Sequence, residues 1–118
     1  MDRAKVKIYH AELGTRIAFF MDAYRERTKS KITLKDLAIE AGYSTRSGMM
    51  SQVVKHGKSG IEAQRLEKIA LKLGVEMETL AHAGHISEED LCLVDNFFKA
   101  LKNKNSRKYQ VIQLLFGD

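Results

Sequence analysis

The sequence predicts an all-α protein. Apolar residues recur at helical spacing along almost the whole chain of 118 residues, and no convincing run alternates apolar with polar residues as a half-buried strand would. There is no proline, no low-complexity stretch and no internal repeat. We therefore expect seven helices in one compact chain. Five of them fall within residues 1–84, and two form a C-terminal extension over residues 85–118.

The first two helices are predicted over residues 9–27 and 33–41. In the first, apolar side chains follow at intervals of four, three and four residues, which puts them on one face: Leu13, Ile17, Phe20 and Tyr24. The second opens with Thr33 and has Asp36 three residues later, which is a capping-box pattern. Gly42 follows and can supply the left-handed backbone that ends a helix.

Three further helices are predicted over residues 45–55, 61–73 and 76–81. Ser44 or Thr45 can cap the first of these, and Gly57 stops it. Gly74 and Gly84 end the other two. The helices are short, and the glycines between them set sharp changes of direction.

The last two helices are predicted over residues 87–101 and 106–116. Ser87 and the acidic residues after it make a capping pattern that suits the helix dipole. Both helices are rich in apolar residues, and two helices of this length cannot easily bury that apolar surface alone. We therefore expect a homodimer interface, against the alternative of one small core. Its predicted residues are Leu91, Leu93, Val94, Phe97, Phe98, Leu101, Ile112 and Leu115.

The positive charge is concentrated in the first half of the chain. Residues 1–30 and 31–58 each carry an excess of three Lys/Arg over Asp/Glu, whereas residues 59–85 carry a deficit of one and residues 86–118 are balanced. This distribution favours a polyanionic partner, although a solvated basic surface would look the same. The apolar runs are far shorter than the ~20 residues that span a bilayer, and the charged N-terminus does not resemble a signal peptide. With Cys92 as the one cysteine, we expect a cytoplasmic protein, located at the nucleoid.

The segment from residue 33 to residue 57 indicates the partner. Two short helices are joined by the turn Gly42-Tyr43-Ser44, and no acidic residue occurs between Glu40 and Glu62. Such a pair, with a second helix free of negative charge, is typical of the helix-turn-helix unit that places a helix in the major groove of DNA. The sequence therefore predicts a double-stranded DNA-binding protein.

Three blocks, in this order and spacing, resemble the Cro and phage-repressor (XRE) family of helix-turn-helix regulators: residues 32–38, residues 41–44 and residues 66–80. The resemblance covers about residues 13–84. It implies a five-helix lambda-repressor-like domain and a repressor that binds an inverted-repeat operator as a homodimer, in a bacterial, phage or mobile-element setting. Two features depart from the family pattern. Leu34 stands where a phosphate-holding Gln is common, and residues 45–57 are two or three residues longer than usual, which leaves the base-reading positions ambiguous.

The resemblance also implies which residues touch DNA. The start of the third helix faces base edges in this family, and the candidates for base contact are Thr45, Arg46, Ser47 and Gln52. The candidates for phosphate contact are Arg16, Lys35, Lys55, His56 and Lys58. For each candidate base contact, the alternative is an exposed polar residue that contacts only solvent or a phosphate. Gly48 indicates either that the helix starts late or that it approaches DNA closely.

Other classes of function have weaker support. His82, His85 and Cys92 do not have the spacing of a zinc site. No phosphate-binding loop, dinucleotide fingerprint or nucleophile elbow occurs, so we expect neither an enzyme nor a cofactor. Two alternatives stay open: an antitoxin whose C-terminal helices bind a toxin, and a helical module that binds an acidic protein and not DNA. A repressor of this size would be controlled by concentration, by proteolysis or by an antirepressor protein.

Overall fold

A computed structural model describes residues 6–44, 48–57 and 59–102, and in that part of the chain it is mostly helical, as predicted. No described helix combines the length and the hydropathy that crossing a bilayer requires. The helix predicted over residues 106–116 lies outside the described residues. The elements, in chain order, are β1 (Lys7–Ile8), α1 (Leu13–Thr28), α2 (Leu34–Glu40), α3 (Met49–Val54), β2 (Ile61–Glu62), α4 (Ala63–Leu73), α5 (Met77–Ala81) and α6 (Glu88–Lys102).

The two strands form a small antiparallel ribbon that the sequence did not predict. Lys7 pairs with Glu62, and Ile8 pairs with Ile61. Strands of two residues are too short to show an alternating pattern. Two helices also start later than predicted: β1 ends at Ile8 and α1 begins only at Leu13, and α4 begins only after β2.

One apolar core is shared by the six helices of the described residues. The face of α1 that the sequence predicts is buried at Leu13, Ile17 and Phe20. α6 adds Leu91, which is 1% exposed and packs in the same cluster. The other buried apolar residues of the cluster are Met21, Ile32, Leu37, Ala38, Ala41, Met50, Val53, Ile61, Leu66, Ile69, Ala70, Leu73 and Leu80.

Arg16 lies in this core, which corrects the expectation that it binds phosphate. Its side chain is 1% exposed. The guanidinium donates to the backbone carbonyls of Thr79, His82 and Gly84 and to the Glu12 carboxylate, at 3.0 Å for the last. Neither the charge of Arg16 nor its position in the sequence indicated that it is buried, because an arginine on an amphipathic helix usually faces solvent. In this fold, Arg16 satisfies carbonyls at and after the end of α5.

The other end of α5 is held by α6. Asp95, which is 4% exposed, accepts hydrogen bonds from the backbone N–H of Glu76 at 2.7 Å and from the Thr79 hydroxyl at 2.8 Å. Lys99 pairs with the second oxygen of the same carboxylate at 2.9 Å. Lys102 pairs with Glu76 and Glu78 at 2.9 and 3.0 Å. A helix of five residues is unstable alone, so these contacts from α6 account for its presence.

Glu12 ties the start of α1 to the segment between α5 and α6. Its carboxylate bonds the His85 ring, accepts from the backbone N–H of Ile86 at 3.1 Å, and pairs with Arg16. The hydrogen bond with His85 is the main reason that the pKa of Glu12 falls to about 2, and the Ile86 and Arg16 bonds act in the same direction. The charged form of Glu12 therefore stabilises the folded protein.

Gly14 should be intolerant of substitution because α1 approaches α3 closely there. A Cβ at this position would lie 2.3 Å from the Val53 carbonyl oxygen and 3.0 Å from the Val54 Cα, and both are backbone atoms. We expect Gly14→Ala to lower the free energy of unfolding by about 1–3 kcal/mol, since overpacking outweighs the better helix propensity of alanine. Chemical denaturation measures this. The control is Gly48→Ala, where the Cβ meets nothing within 4 Å, and an equal loss in both variants would contradict the close contact.

Glu12 should make stability depend on acid pH. Its folded pKa of about 2 lies below its ordinary value of 4.5, so its contribution is complete above pH 4.5 and is lost as the pH falls toward 2. We expect Glu12→Gln to be less stable than the parent protein at neutral pH, with a difference that shrinks through this window. Urea denaturation at several pH values measures it. Glu26→Gln, an exposed carboxylate on the same helix, is the control. A difference that stays constant down to pH 2 would contradict the assignment.

Candidate nucleic-acid interface

The start of α2 has the capping box that the sequence predicts. The Thr33 hydroxyl accepts a hydrogen bond from the backbone N–H of Asp36 at 3.2 Å, and the Asp36 carboxylate accepts from the backbone N–H of Thr33 at 2.9 Å. The second of these bonds is the main cause that lowers the pKa of Asp36. Together they fix where α2 begins and leave Lys35 exposed on its first turn.

The turn after α2 is closed by backbone hydrogen bonds. Gly42 has a φ of 91°, and its N–H donates to Ile39 at 3.0 Å, while the N–H of Tyr43 donates to Ala38 at 2.9 Å. This pair of bonds is the Schellman motif, in which a left-handed glycine ends a helix. The prediction for Gly42 is therefore confirmed, and the chain leaves α2 in one defined direction toward α3.

Arg65 of α4 contacts this turn. Its guanidinium lies 4.3 Å from the centre of the Tyr43 ring and donates to the Ala41 carbonyl at 3.2 Å. Burial raises the pKa of Tyr43. The sequence placed Tyr43 in the turn but did not indicate Arg65 as its partner, because a contact between positions 43 and 65 leaves no local signal in the chain. Arg65 thus adds a cation–π contact to the backbone hydrogen bonds of the turn.

α3 is short and is held by its inner side. Met50 and Val53 are buried at 2% and 1% exposure, and the helix packs against α1 and α2. Gly48 immediately precedes the helix at its N-cap, so the late start that this glycine suggested is what the structure shows. Thr45, Arg46 and Ser47, three of the four predicted base contacts, lie outside the described residues.

The outer side of α3 presents polar and basic groups. Gln52, Lys55 and His56 are all exposed, and their spacing of i, i+3 and i+4 brings them to the same side of the helix and its C-terminal turn. The hydrogen bonds from the N–H groups of Lys55 and His56 to Ser51 continue that turn beyond Val54. The structure thus places three predicted DNA contacts side by side, whereas Lys58 lies outside the described residues.

α6 presents a separate apolar surface. Leu93 and Phe97 are 69% and 39% exposed and stand four residues apart, on one side of the helix. Val94, Phe98 and Leu101 are partly buried. Leu91, which was predicted to join the dimer interface, is buried inside its own chain instead, because that position of α6 faces the core. Ile112 and Leu115 lie outside the described residues.

Comparisons with known proteins add no family to these observations. A scan against protein-family models, a search of curated proteins and a search of solved structures each found no match.

Proposed function

We propose that the chain is a sequence-specific double-stranded DNA-binding regulator, and that it acts as a repressor. The observation that carries the proposal is the outer side of α3. There, Gln52 on the helix and Lys55 and His56 directly after its last residue are all exposed, while α1 and α2 pack against the inner side of the helix. No acidic residue lies between positions 40 and 62 to oppose a phosphate backbone.

Gln52 and Lys55 would have different roles. An amide such as that of Gln52 can bond two edge atoms of adenine in the major groove. A lysine such as Lys55 pairs with phosphate as a point charge, and this contact sets affinity and register but carries no sequence information. Lys35, on the first turn of α2, is a second candidate for phosphate. Occupation of an operator would then block access to a promoter.

The direct test is selection of bound sites from a random duplex pool with the full chain. The proposal expects an enriched motif and, for a dimer, two inverted half-sites. No enrichment, together with no binding to any duplex at ~50 mM salt, would overturn the proposal. That result would favour the alternative of a helical module that binds an acidic protein.

Lys55→Gln should weaken binding to all duplexes alike. A lost phosphate contact should also reduce the logarithmic salt slope of the dissociation constant by about 0.9. Fluorescence anisotropy over a range of salt concentrations measures both effects.

The control for Lys55→Gln is Lys29→Asn, which removes the same charge. Lys29 lies at the other end of α1, about 22 Å from Gly14 along the helix axis, and its φ of 59° suits asparagine. The control should keep the slope of the parent protein. Equal slopes in all three proteins would show that Lys55 does not touch phosphate.

The exposed pair on α6 supports a homodimer as part of the proposal. An isologous dimer would place two copies of α3 on successive turns of one DNA face, about 34 Å apart. A toxin or an antirepressor protein is the other candidate for the same apolar surface, and it would co-purify with the chain. The dimer is the simpler occupant because an inverted-repeat operator requires it.

Phe97→Glu should convert the dimer to a monomer. A charge placed in an apolar interface is costly to bury, so we expect light scattering to give 13.4 kDa for the variant and twice that mass for the parent protein. Leu71→Glu is the control, since Leu71 is 75% exposed on α4 and lies outside the proposed interface. A parent protein that is already monomeric at micromolar concentration would rule the dimer out.

A further inference from the structure

The loop between α3 and β2 links the candidate recognition helix to the ribbon. It spans residues 55–60 and begins with the exposed Lys55 and His56. Gly57 follows with a φ of 63°, and a Cβ there would meet nothing within 4 Å. The N–H groups of Lys55 and His56 bond Ser51, so α3 fixes the start of the loop. The chain at Gly57, just after these two basic residues, needs a contact from elsewhere in the protein to fix its path.

Tyr9 supplies such a contact. Its phenol donates a hydrogen bond to the Gly57 carbonyl at 2.8 Å, across 48 positions of sequence. At the other end of the ring, its Cβ lies 3.1 Å from where a Cβ of Gly60 would stand. The tyrosine thus bonds Gly57 through its hydroxyl and lies close to Gly60 through its Cβ. The residue as a whole is 60% exposed.

The backbone of Tyr9 is itself held on both sides. Before it, Ile8 pairs with Ile61 in the ribbon, and the Ile8 carbonyl lies 2.7 Å from a Cβ built at Gly60. After it, the ring of His10 accepts from the N–H of Glu12 through Nδ1 at 3.2 Å and donates from Nε2 to the Leu80 carbonyl at 2.6 Å. The ribbon and His10 thus fix the position of Tyr9, and Tyr9 in turn restrains the loop.

We propose that Tyr9 is a positioning residue for DNA binding, which holds the loop so that Lys55 and His56 meet the phosphate backbone. This inference rests on the proposed function. Its physical basis is preorganisation: a loop that is already in its bound conformation loses less freedom when it binds, and this raises affinity without a new contact. The hydroxyl acts through the loop, by its hydrogen bond to the Gly57 carbonyl.

The test compares Tyr9→Phe with the parent protein on a duplex of mixed sequence of about 30 base pairs, long enough for two half-sites. Phenylalanine keeps the ring and removes only the donor. We expect affinity to fall by about two- to tenfold, which is the usual range for one neutral hydrogen bond. The salt slope should also fall, because a displaced loop gives up phosphate contact. Tyr24→Phe is the control, since that ring contacts Arg27 and Lys72 through its face.

A double-mutant cycle with Lys55→Gln separates positioning from simple stabilisation. If Tyr9 acts through the loop, Tyr9→Phe should cost clearly less affinity in the Lys55→Gln protein than in the parent protein. Additive effects, or a loss of affinity with an unchanged salt slope, would overturn the inference, because a stabiliser of the fold lowers only the fraction of active protein. Identical binding by Tyr9→Phe and the parent protein would overturn it as well. A parent protein that binds no duplex at ~50 mM salt would instead overturn the proposed function.

Discussion

The burial of Arg16 is the constraint on which the second half of the fold depends. Removal of a guanidinium from water requires partners for its N–H donors. Three of these partners are carbonyls at the end of α5 and just after it, on Thr79, His82 and Gly84. The chain between α5 and α6 therefore has to pass close to α1. The boundary predicted between residues 84 and 85 falls within this restrained segment.

The same constraint explains how a five-residue helix is stable. α5 receives Arg16 at its C-terminal end and the Asp95 carboxylate at its N-terminal end. These two groups come from α1 and α6, which are far apart in sequence, and each meets backbone groups that a short helix leaves without partners. α6 is joined to the preceding helices by this polar contact and, through Leu91, by the shared apolar core. Its remaining apolar side, at Leu93 and Phe97, is what faces outward.

The sequence predicted those parts of the fold that a few neighbouring residues decide. The capping box of Thr33 and Asp36 and the left-handed Gly42 are local, since each depends on residues within one or two helical turns. The ribbon and the place of Arg16 are not local. Lys7 pairs with a residue 55 positions away. The residues next to Arg16 in the sequence do not reveal whether its guanidinium faces water or backbone carbonyls. The pattern of apolar residues also placed Leu91 on an apolar face of α6, but it could not decide whether that face packs in the core of the same chain or against a partner.

For the candidate site, the sequence indicated the residues that we propose to contact DNA, but not the residues that hold the neighbouring turn and loop. The lack of acidic residues and the spacing of the polar residues can be read from the sequence around Gln52 and Lys55. Arg65 and Tyr9, by contrast, act across 24 and 48 positions. α3 has only six residues, so its direction is set by what surrounds it and not by its own stiffness. In the proposed DNA complex, the direction of α3 would therefore depend on the packing of α1, α2 and α4 as much as on its own side chains.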